Sequence, residues 1–177
     1  DVSDSAVKPD SAVAISVPYD LAAGSQLLEK SWMGRIYTAY FLRSLKWKIR
    51  LKRELLSSIL DLSTVLKSRT LWEFDDAATA PLGDFANAAS YYSESSSSEF
   101  LGSINTPTLL IHAEDDPFLP AQAVPRQKAL ANPMIDLLIH PSGGHVGFLG
   151  GTPINPSFWA ESEGARFLAE QLGAVAS

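Results

Sequence analysis

Three short and almost wholly apolar runs stand out along this chain of 177 residues. They are AVAISV at 12–17, TPTLLIHA at 106–113 and MIDLLIH at 134–140. Short runs that are apolar at nearly every position are typical of strands buried on both faces of a parallel sheet. We therefore predict a parallel sheet that contains these three strands.

A long segment with helical spacing separates the first two runs. Residues 21–100 predict a mostly helical insertion, and the serine run SESSSSEF at its end predicts a loop. Two neighbouring apolar stripes lie along its first half: Trp32, Ile36 and Tyr40, and beside them Tyr37, Phe41 and Leu45.

Two further helices are predicted after the insertion. AQAVPRQKALAN at 121–132 indicates a crossover helix between the second and third strands. Residues 155–173 indicate an amphipathic terminal helix, with Asn155 or Ser157 as its N-cap. Its predicted apolar face consists of Phe158, Phe167, Leu168 and Leu172.

This order of elements indicates the C-terminal part of an α/β domain with a parallel sheet. Three parallel strands alone would expose long apolar edges, so we expect further strands of the domain to precede residue 12 in the natural protein. The first residue is Asp and not Met, which indicates a processed chain or a fragment. We therefore interpret residues 1–177 as the C-terminal portion of one domain, with 21–100 as a helical cap inserted into it.

The composition excludes several classes of protein. Hydrophobic residues make up 46% and charged residues 19% of the chain, as in a folded globular domain. The chain has no cysteine, which excludes a disulfide framework and thiolate metal sites and fits a reducing compartment. No apolar run reaches the roughly 18 residues of a membrane span, and no secretory signal is visible. We expect a location in the cytoplasm or at a membrane surface.

The charge is distributed unevenly along the chain. The net charge is −6, yet residues 30–53 contain eight Lys and Arg residues and no acidic residue. An acidic protein with one basic segment is not expected to bind nucleic acid. The basic segment is interpreted either as a solvated helix face or as a cap helix that lies against an anionic membrane, with its aromatic side chains pointing inward.

Chemically useful side chains follow the second and third predicted strands. EDDPFLP at 114–120 follows one strand, and PSGGHVGF at 141–148 follows the other. Because ligand sites in open α/β sheets lie beyond the carboxyl ends of the strands, an acid and His145 would meet at one edge. An acid that orients a histidine forms half of a Ser–His–Asp triad. We favour Asp116 as the acid because Pro117 restricts its backbone to extended or turn geometry.

Alternative roles remain open for the polar residues near this edge. Asp115 could replace Asp116 as the acid. Asp20 is a third candidate, but we expect it to stabilise a turn or cap a helix instead. We expect His112 and His140 to be structural residues that form hydrogen bonds. A metal site built from Asp115, Asp116, His140 and His145 matches no ligand spacing that we can defend. Gly143, Gly144 and Gly147 are expected to give the backbone around His145 its conformational freedom.

The chain resembles the α/β-hydrolase superfamily and, more narrowly, the YheT-like hydrolases. The similar stretches are AISVPYDLAAGS, TAPLGDFANAASYY, LLIHAEDDPFLP and SGGHVGFLGG. The resemblance implies that Asp116 is the triad acid and His145 the triad base. It also implies a serine nucleophile in a G-x-S-x-G turn and an oxyanion hole nearby, both upstream of this chain, which contains no G-x-S-x-G.

The resemblance further implies a function for the whole protein. It implies a carboxylesterase or lipase that hydrolyses short- to medium-chain acyl esters or monoacylglycerols, with no cofactor and no metal. The small-molecule ester or lipid is the expected partner, besides a possible membrane contact through residues 30–53. Two alternatives stay open: a catalytically inactive fragment or remnant that binds a lipid or a protein, and a related enzyme with a cysteine or aspartate nucleophile.

Overall fold

The computed structural model describes residues 9–152 and 154–173, which contain a parallel three-stranded sheet. Strands β1 (Ala12–Ile15), β2 (Thr108–Ala113) and β3 (Ile135–His140) pair in the order β1–β2–β3, and both pairings are parallel. The prediction of three parallel strands is confirmed. The first strand ends two residues before its predicted end, since Ser16 adopts a φ of +55°, outside the β region.

Burial differs between the strands of the sheet. Every residue of β2 is buried, whereas β1 is half-buried along its whole length and β3 is half-buried at most positions. The prediction of burial on both faces is therefore correct for β2 and wrong for β1 and β3. Each of these two strands has one paired neighbour among the described residues, which leaves its other edge more open.

Helix α9 (Trp159–Gln171) contributes to the core of the sheet. Ala160 and Phe167 of this helix are buried, in one apolar cluster with residues of β2 and with Phe148. Helix α8 (Arg126–Leu130) lies in the predicted crossover between β2 and β3. It is shorter than the segment from which it was predicted.

The predicted start of the terminal helix is wrong. Residues Pro156–Phe158 form strand β5, which pairs antiparallel with β4 (Leu149–Gly151). The helix consequently begins at Trp159, and neither Asn155 nor Ser157 caps it. Two members of its predicted apolar face, Phe158 and Leu172, are exposed to solvent.

Helices make up most of residues 18–99. They are α1 (Leu21–Lys30), α2 (Trp32–Leu51), α3 (Arg53–Leu56), α4 (Leu62–Lys67), α5 (Leu71–Phe74), a π-helical turn at Asp75–Thr79, α6 (Ala80–Leu82), α7 (Ala88–Ser95) and a 3-10 turn at Ser97–Glu99. Their core contains Leu42, Ile49, Leu56, Val65 and Phe74. The mostly helical character that was predicted for 21–100 is confirmed.

Side-chain caps fix the starts of several of these helices. The Asp20 side chain accepts a hydrogen bond of 2.8 Å from Ala23 N–H and caps α1, which is the structural role considered for it from the sequence. Asn87 and Ser90 form a capping box at the start of α7. Because α7 continues to Ser95, the first part of the serine run is helical, which corrects the predicted loop.

The contacts divide the chain into two compact units. The strand unit contains the described residues of 9–17, 100–116 and 125–173, and the helical unit contains 18–99 and 117–124. The interpretation of 21–100 as a cap within one larger domain stays a prediction. No helix in the described part of the chain is both long and apolar enough to cross a membrane.

The centre of β2 should dominate the stability of the strand unit. Ile111 is fully buried, so Ile111→Ala is expected to lower the free energy of unfolding by about 2–5 kcal/mol through lost apolar contacts and a residual cavity. Urea denaturation measures the change. Ile154 is 97% exposed and provides the matched control, because Ile154→Ala should change stability by no more than about 0.5 kcal/mol. Equal effects of the two substitutions would contradict the assigned core.

Candidate active site

The carboxyl ends of β2 and β3 lie level with each other. Ala113 pairs with His140 at the end of the ladder, and Glu114 N–H donates a 2.9 Å hydrogen bond to the His140 carbonyl. A turn over Glu114 and Asp115 follows β2 directly. The loops after the two strands therefore leave the sheet side by side.

Asp116 and His145 meet between these two loops. The distance between His145 Nδ1 and Asp116 Oδ2 is 2.9 Å. The Asp116 side chain is fully buried, whereas 39% of the His145 side chain is exposed. The structure thus brings together the two residues selected from the sequence, and it leaves part of the imidazole ring open to solvent.

The contact fixes the chemical state of the imidazole ring. An ionised carboxylate only accepts hydrogen bonds, so Nδ1 of a neutral His145 must carry the hydrogen. The lone pair of that neutral ring then lies on Nε2, where it can accept a proton. The carboxylate beside Nδ1 would stabilise the resulting imidazolium.

The glycines before His145 allow a tight turn. Gly144 has a φ of +60°, a conformation that favours glycine. A Cβ on Gly143 would lie 2.5 Å from Cδ1 of the buried Phe148 ring. The Gly147 and Phe148 N–H groups both donate to the Gly143 carbonyl, which closes the turn around His145. Any larger residue at 143 would push the loop away from the core.

The Asp115 side chain stabilises this turn by hydrogen bonds to its backbone. Its Oδ1 accepts 2.8 Å hydrogen bonds from both Gly143 N–H and Gly144 N–H. These two backbone donors lower the pKa of the Asp115 carboxyl. Asp115 was considered from the sequence as a substitute acid, but the structure places its carboxylate on the backbone of the loop at 141–148, which we call the histidine loop. Adjacent acids at the end of β2 thus contact the loop at different points.

Ser16, the residue directly after β1, supports the loop that carries His145. Its hydroxyl donates to the His145 carbonyl, and its own N–H donates a 2.8 Å hydrogen bond to the Ile111 carbonyl. It is a buried non-glycine residue with a positive φ, which is uncommon and costs conformational energy. The sequence analysis missed Ser16, although a single serine within the apolar run AVAISV was a visible signal.

The other two histidines occupy different surroundings. His112 is fully buried in β2, with Nε2 at 3.8 Å from Asp116 Oδ2, and burial lowers its pKa, so the ring is neutral near pH 7. His140 accepts a 3.2 Å hydrogen bond from Ser142 N–H at Nδ1 and packs against Trp159. Among the described residues, no group of three or more His, Cys, Asp or Glu side chains could hold a metal ion.

Comparisons with known proteins point to one family. A family model described as the alpha/beta hydrolase fold matches residues 17–152. The "Putative esterase YheT" of Escherichia coli (strain K12) is 39% identical over 167 residues, which cover 93% of this chain and 48% of that protein. The comparison with solved structures gave no match.

Two eukaryotic relatives are also similar. Mouse Phospholipase ABHD3 is 31% identical over 140 residues, which cover 79% of this chain and 34% of that protein. Monoacylglycerol lipase of Saccharomyces cerevisiae (strain ATCC 204508 / S288c) is 30% identical over 171 residues, which cover 93% of this chain and 36% of that protein. The chain therefore spans between about a third and a half of the length of these curated relatives.

Removal of the Asp115 carboxylate should loosen the histidine loop without unfolding the sheet. Asp115→Ala deletes both acceptors, so hydrogen exchange at the Gly143 and Gly144 amides should accelerate by roughly tenfold. Exchange at β2 amides should not change. Asp136→Ala, at an exposed carboxylate on β3, is the matched control and should leave both glycine amides unaffected. Unchanged exchange in Asp115→Ala would show that the carboxylate does not hold the loop.

The same contact should depend on pH. Because the folded-state pKa of Asp115 is lowered, its stabilising contribution is fully present above the ordinary aspartate pKa of about 3.9 and is lost as the pH falls through the lower folded value. A titration of the Gly143 and Gly144 amide resonances should therefore show a transition below pH 3.9. A transition above that value would contradict the two hydrogen bonds.

Proposed function

Because this chain belongs to the α/β-hydrolase family and resembles YheT, we propose that it supplies the acid and the base of a serine carboxylesterase. Asp116 is the orienting acid and His145 is the general base. The observation that carries the proposal is the 2.9 Å contact between the buried Asp116 carboxylate and the part-exposed His145 ring. A structural histidine would need neither a buried ionised partner nor an open ring edge.

His145 takes up or gives up one proton at each step of the reaction. Nε2 takes the proton of a serine hydroxyl as its oxygen attacks the ester carbonyl. Asp116 stabilises the imidazolium, which then gives the proton to the departing alcohol oxygen. A water molecule next gives a proton to Nε2 as it attacks the acyl-enzyme, and the proton returns to the serine oxygen. The products are one carboxylic acid and one alcohol, and His145 ends as it began.

We infer that the nucleophile comes from outside these 177 residues. The sequence contains no G-x-S-x-G, the turn that exposes the serine in this family. Ser16 does not substitute for it, because its hydroxyl is directed to the His145 backbone carbonyl. We propose that the natural polypeptide provides the serine and the oxyanion hole before this chain, and that the 177-residue chain alone is inactive.

We propose short- to medium-chain acyl esters or monoacylglycerols as the substrate class. Two of the relatives are named as a monoacylglycerol lipase and a phospholipase, and both names indicate a lipid substrate for those proteins. A serine with an Asp–His pair can hydrolyse a carboxylic ester without a metal or cofactor.

Substitution of either member of the pair should abolish turnover in the natural polypeptide that contains this chain. His145→Gln and Asp116→Asn should each lower kcat by about a thousandfold or more, with little change in KM, since both act on proton transfer. Hydrolysis of 4-nitrophenyl butyrate and of a monoacylglycerol measures the effect. Asp136→Asn is the matched control and should retain full activity. A kcat within tenfold of wild type in Asp116→Asn would refute the assigned acid.

Labelling with a fluorophosphonate probe distinguishes a complete serine hydrolase from an inactive remnant. The probe reacts with an activated serine, so the natural polypeptide should be labelled, and the His145→Gln variant should not. The 177-residue chain alone should remain unlabelled. Absence of label on the natural polypeptide would instead favour a binding protein or a cysteine or aspartate nucleophile, and labelling of the chain alone would place the nucleophile within it.

A further inference from the structure

Helix α2 has two apolar faces, and only one of them is buried. Thr38, Leu42 and Ile49 form the inner face and lie in the interior of the helical unit. With 100° per residue, the opposite side of the helix carries a second apolar row. We call it the outer stripe, and it consists of Trp32, Ile36, Tyr40, Trp47 and Leu51.

The outer stripe is largely exposed to solvent. Each of its five side chains is between 54% and 70% exposed. The membrane alternative considered from the sequence had the aromatic side chains of 30–53 pointing inward. In the structure, Tyr37 and Phe41 are half-buried, whereas Trp32, Tyr40 and Trp47 are exposed. A helix that is apolar on both sides is normally covered on both sides, so the stripe is a candidate contact surface.

Basic side chains lie within and beside the outer stripe. Arg43 and Arg50 project from the same side of α2, and with Tyr40, Ser44 and Trp47 they line a surface groove of about 470 Å³. Both arginines are free of ion pairs with the described residues. Lys46 differs from them, because its Nζ donates to the Ser68 carbonyl within the helical unit. Residues 30–53 contain no acidic side chain that would neutralise the arginines.

We propose that the outer stripe is a binding surface for an anionic phospholipid membrane. Trp and Tyr side chains favour the interfacial region of a bilayer, where an apolar ring and a polar edge are both accommodated. Arg43 and Arg50 would contact lipid phosphates from the groove between Tyr40 and Trp47. Helix α2 would lie flat on the surface, held by its inner face to the rest of the helical unit. This proposal does not depend on the proposed esterase activity.

Charge disfavours a second copy of the chain as the partner. In a symmetric dimer through the outer stripe, the same basic patch of each copy would face the other, so Arg43 and Arg50 of both copies would lie in one interface. No acidic residue in 30–53 could compensate this repulsion. A negatively charged lipid surface complements both the arginines and the aromatic row.

Vesicle flotation of the 177-residue chain provides the first test. Vesicles of phosphatidylcholine are compared with vesicles that contain about 30% phosphatidylglycerol, because anionic lipid attracts each nearby basic residue. We expect at least about tenfold stronger binding to the anionic vesicles, and weaker binding at high salt, since salt screens the attraction. Tryptophan emission should shift to shorter wavelength on binding, as Trp32 and Trp47 enter the interface. Equal binding to both vesicle types would overturn the proposal.

Paired variants locate the binding surface. Ile36→Ser/Leu51→Ser should reduce vesicle binding by about tenfold. The control Leu130→Ser/Ile154→Ser removes the same two residue types from exposed sites elsewhere and should leave binding unchanged.

A second pair of variants tests the charge. Arg43→Glu/Arg50→Glu should abolish the preference for anionic lipid. Lys67→Glu/Arg69→Glu makes the same change in net charge outside the outer stripe and should retain that preference. Far-ultraviolet circular dichroism checks that every variant is folded.

Three outcomes would overturn the assignment to lipid. Equal losses in the stripe variants and their controls would show that the effect is non-specific. A dimer that Ile36→Ser/Leu51→Ser dissociates, without vesicle binding by the wild type, would make the stripe a contact between copies. Vesicle binding by the 177-residue chain but not by a longer natural polypeptide would show that another part of the same protein covers the stripe.

Discussion

A buried carboxylate needs partners that stabilise its charge, and the His145 ring is one such partner of Asp116. An ionised carboxyl without partners costs several kcal/mol in a protein interior, so the fold has to hold the imidazole within hydrogen-bonding distance. The parallel register of β2 and β3 meets this requirement, because it brings the two following loops out at the same level. The proposed chemistry of this chain depends on that register.

Three contacts of different kinds hold the histidine loop in position. Asp115 accepts from the two glycine amides, Ser16 donates to the His145 carbonyl, and Phe148 is anchored in the core. None of these contacts involves the imidazole ring itself. Backbone contacts therefore fix the position of the loop, and the ring is left to Asp116 on one side and to solvent on the other.

The sequence predicted the strands and the meeting of Asp116 with His145 because both follow from local patterns: apolar runs give strands, and parallel strands end at one edge. It did not predict the β4–β5 pair, since a three-residue strand leaves almost no periodicity to detect. The spacing that revealed two neighbouring stripes on α2 could not tell that one of them is exposed and the other, which contains Tyr37 and Phe41, half-buried. Contacts such as Asp115 with Gly143 depend on loop geometry, which no spacing rule encodes.

The hydrogen bond between Asp116 and His145 can be observed directly by NMR. Imidazole nitrogen spectra of the folded, 15N-histidine-labelled chain at alkaline pH contain signals from its three histidines. The His145 signal is identified by its loss in His145→Gln. We predict that neutral His145 carries its hydrogen on Nδ1, with a strongly deshielded proton that disappears in Asp116→Asn. A neutral His145 with its hydrogen on Nε2, or a spectrum that Asp116→Asn leaves unchanged, would contradict the proposed arrangement.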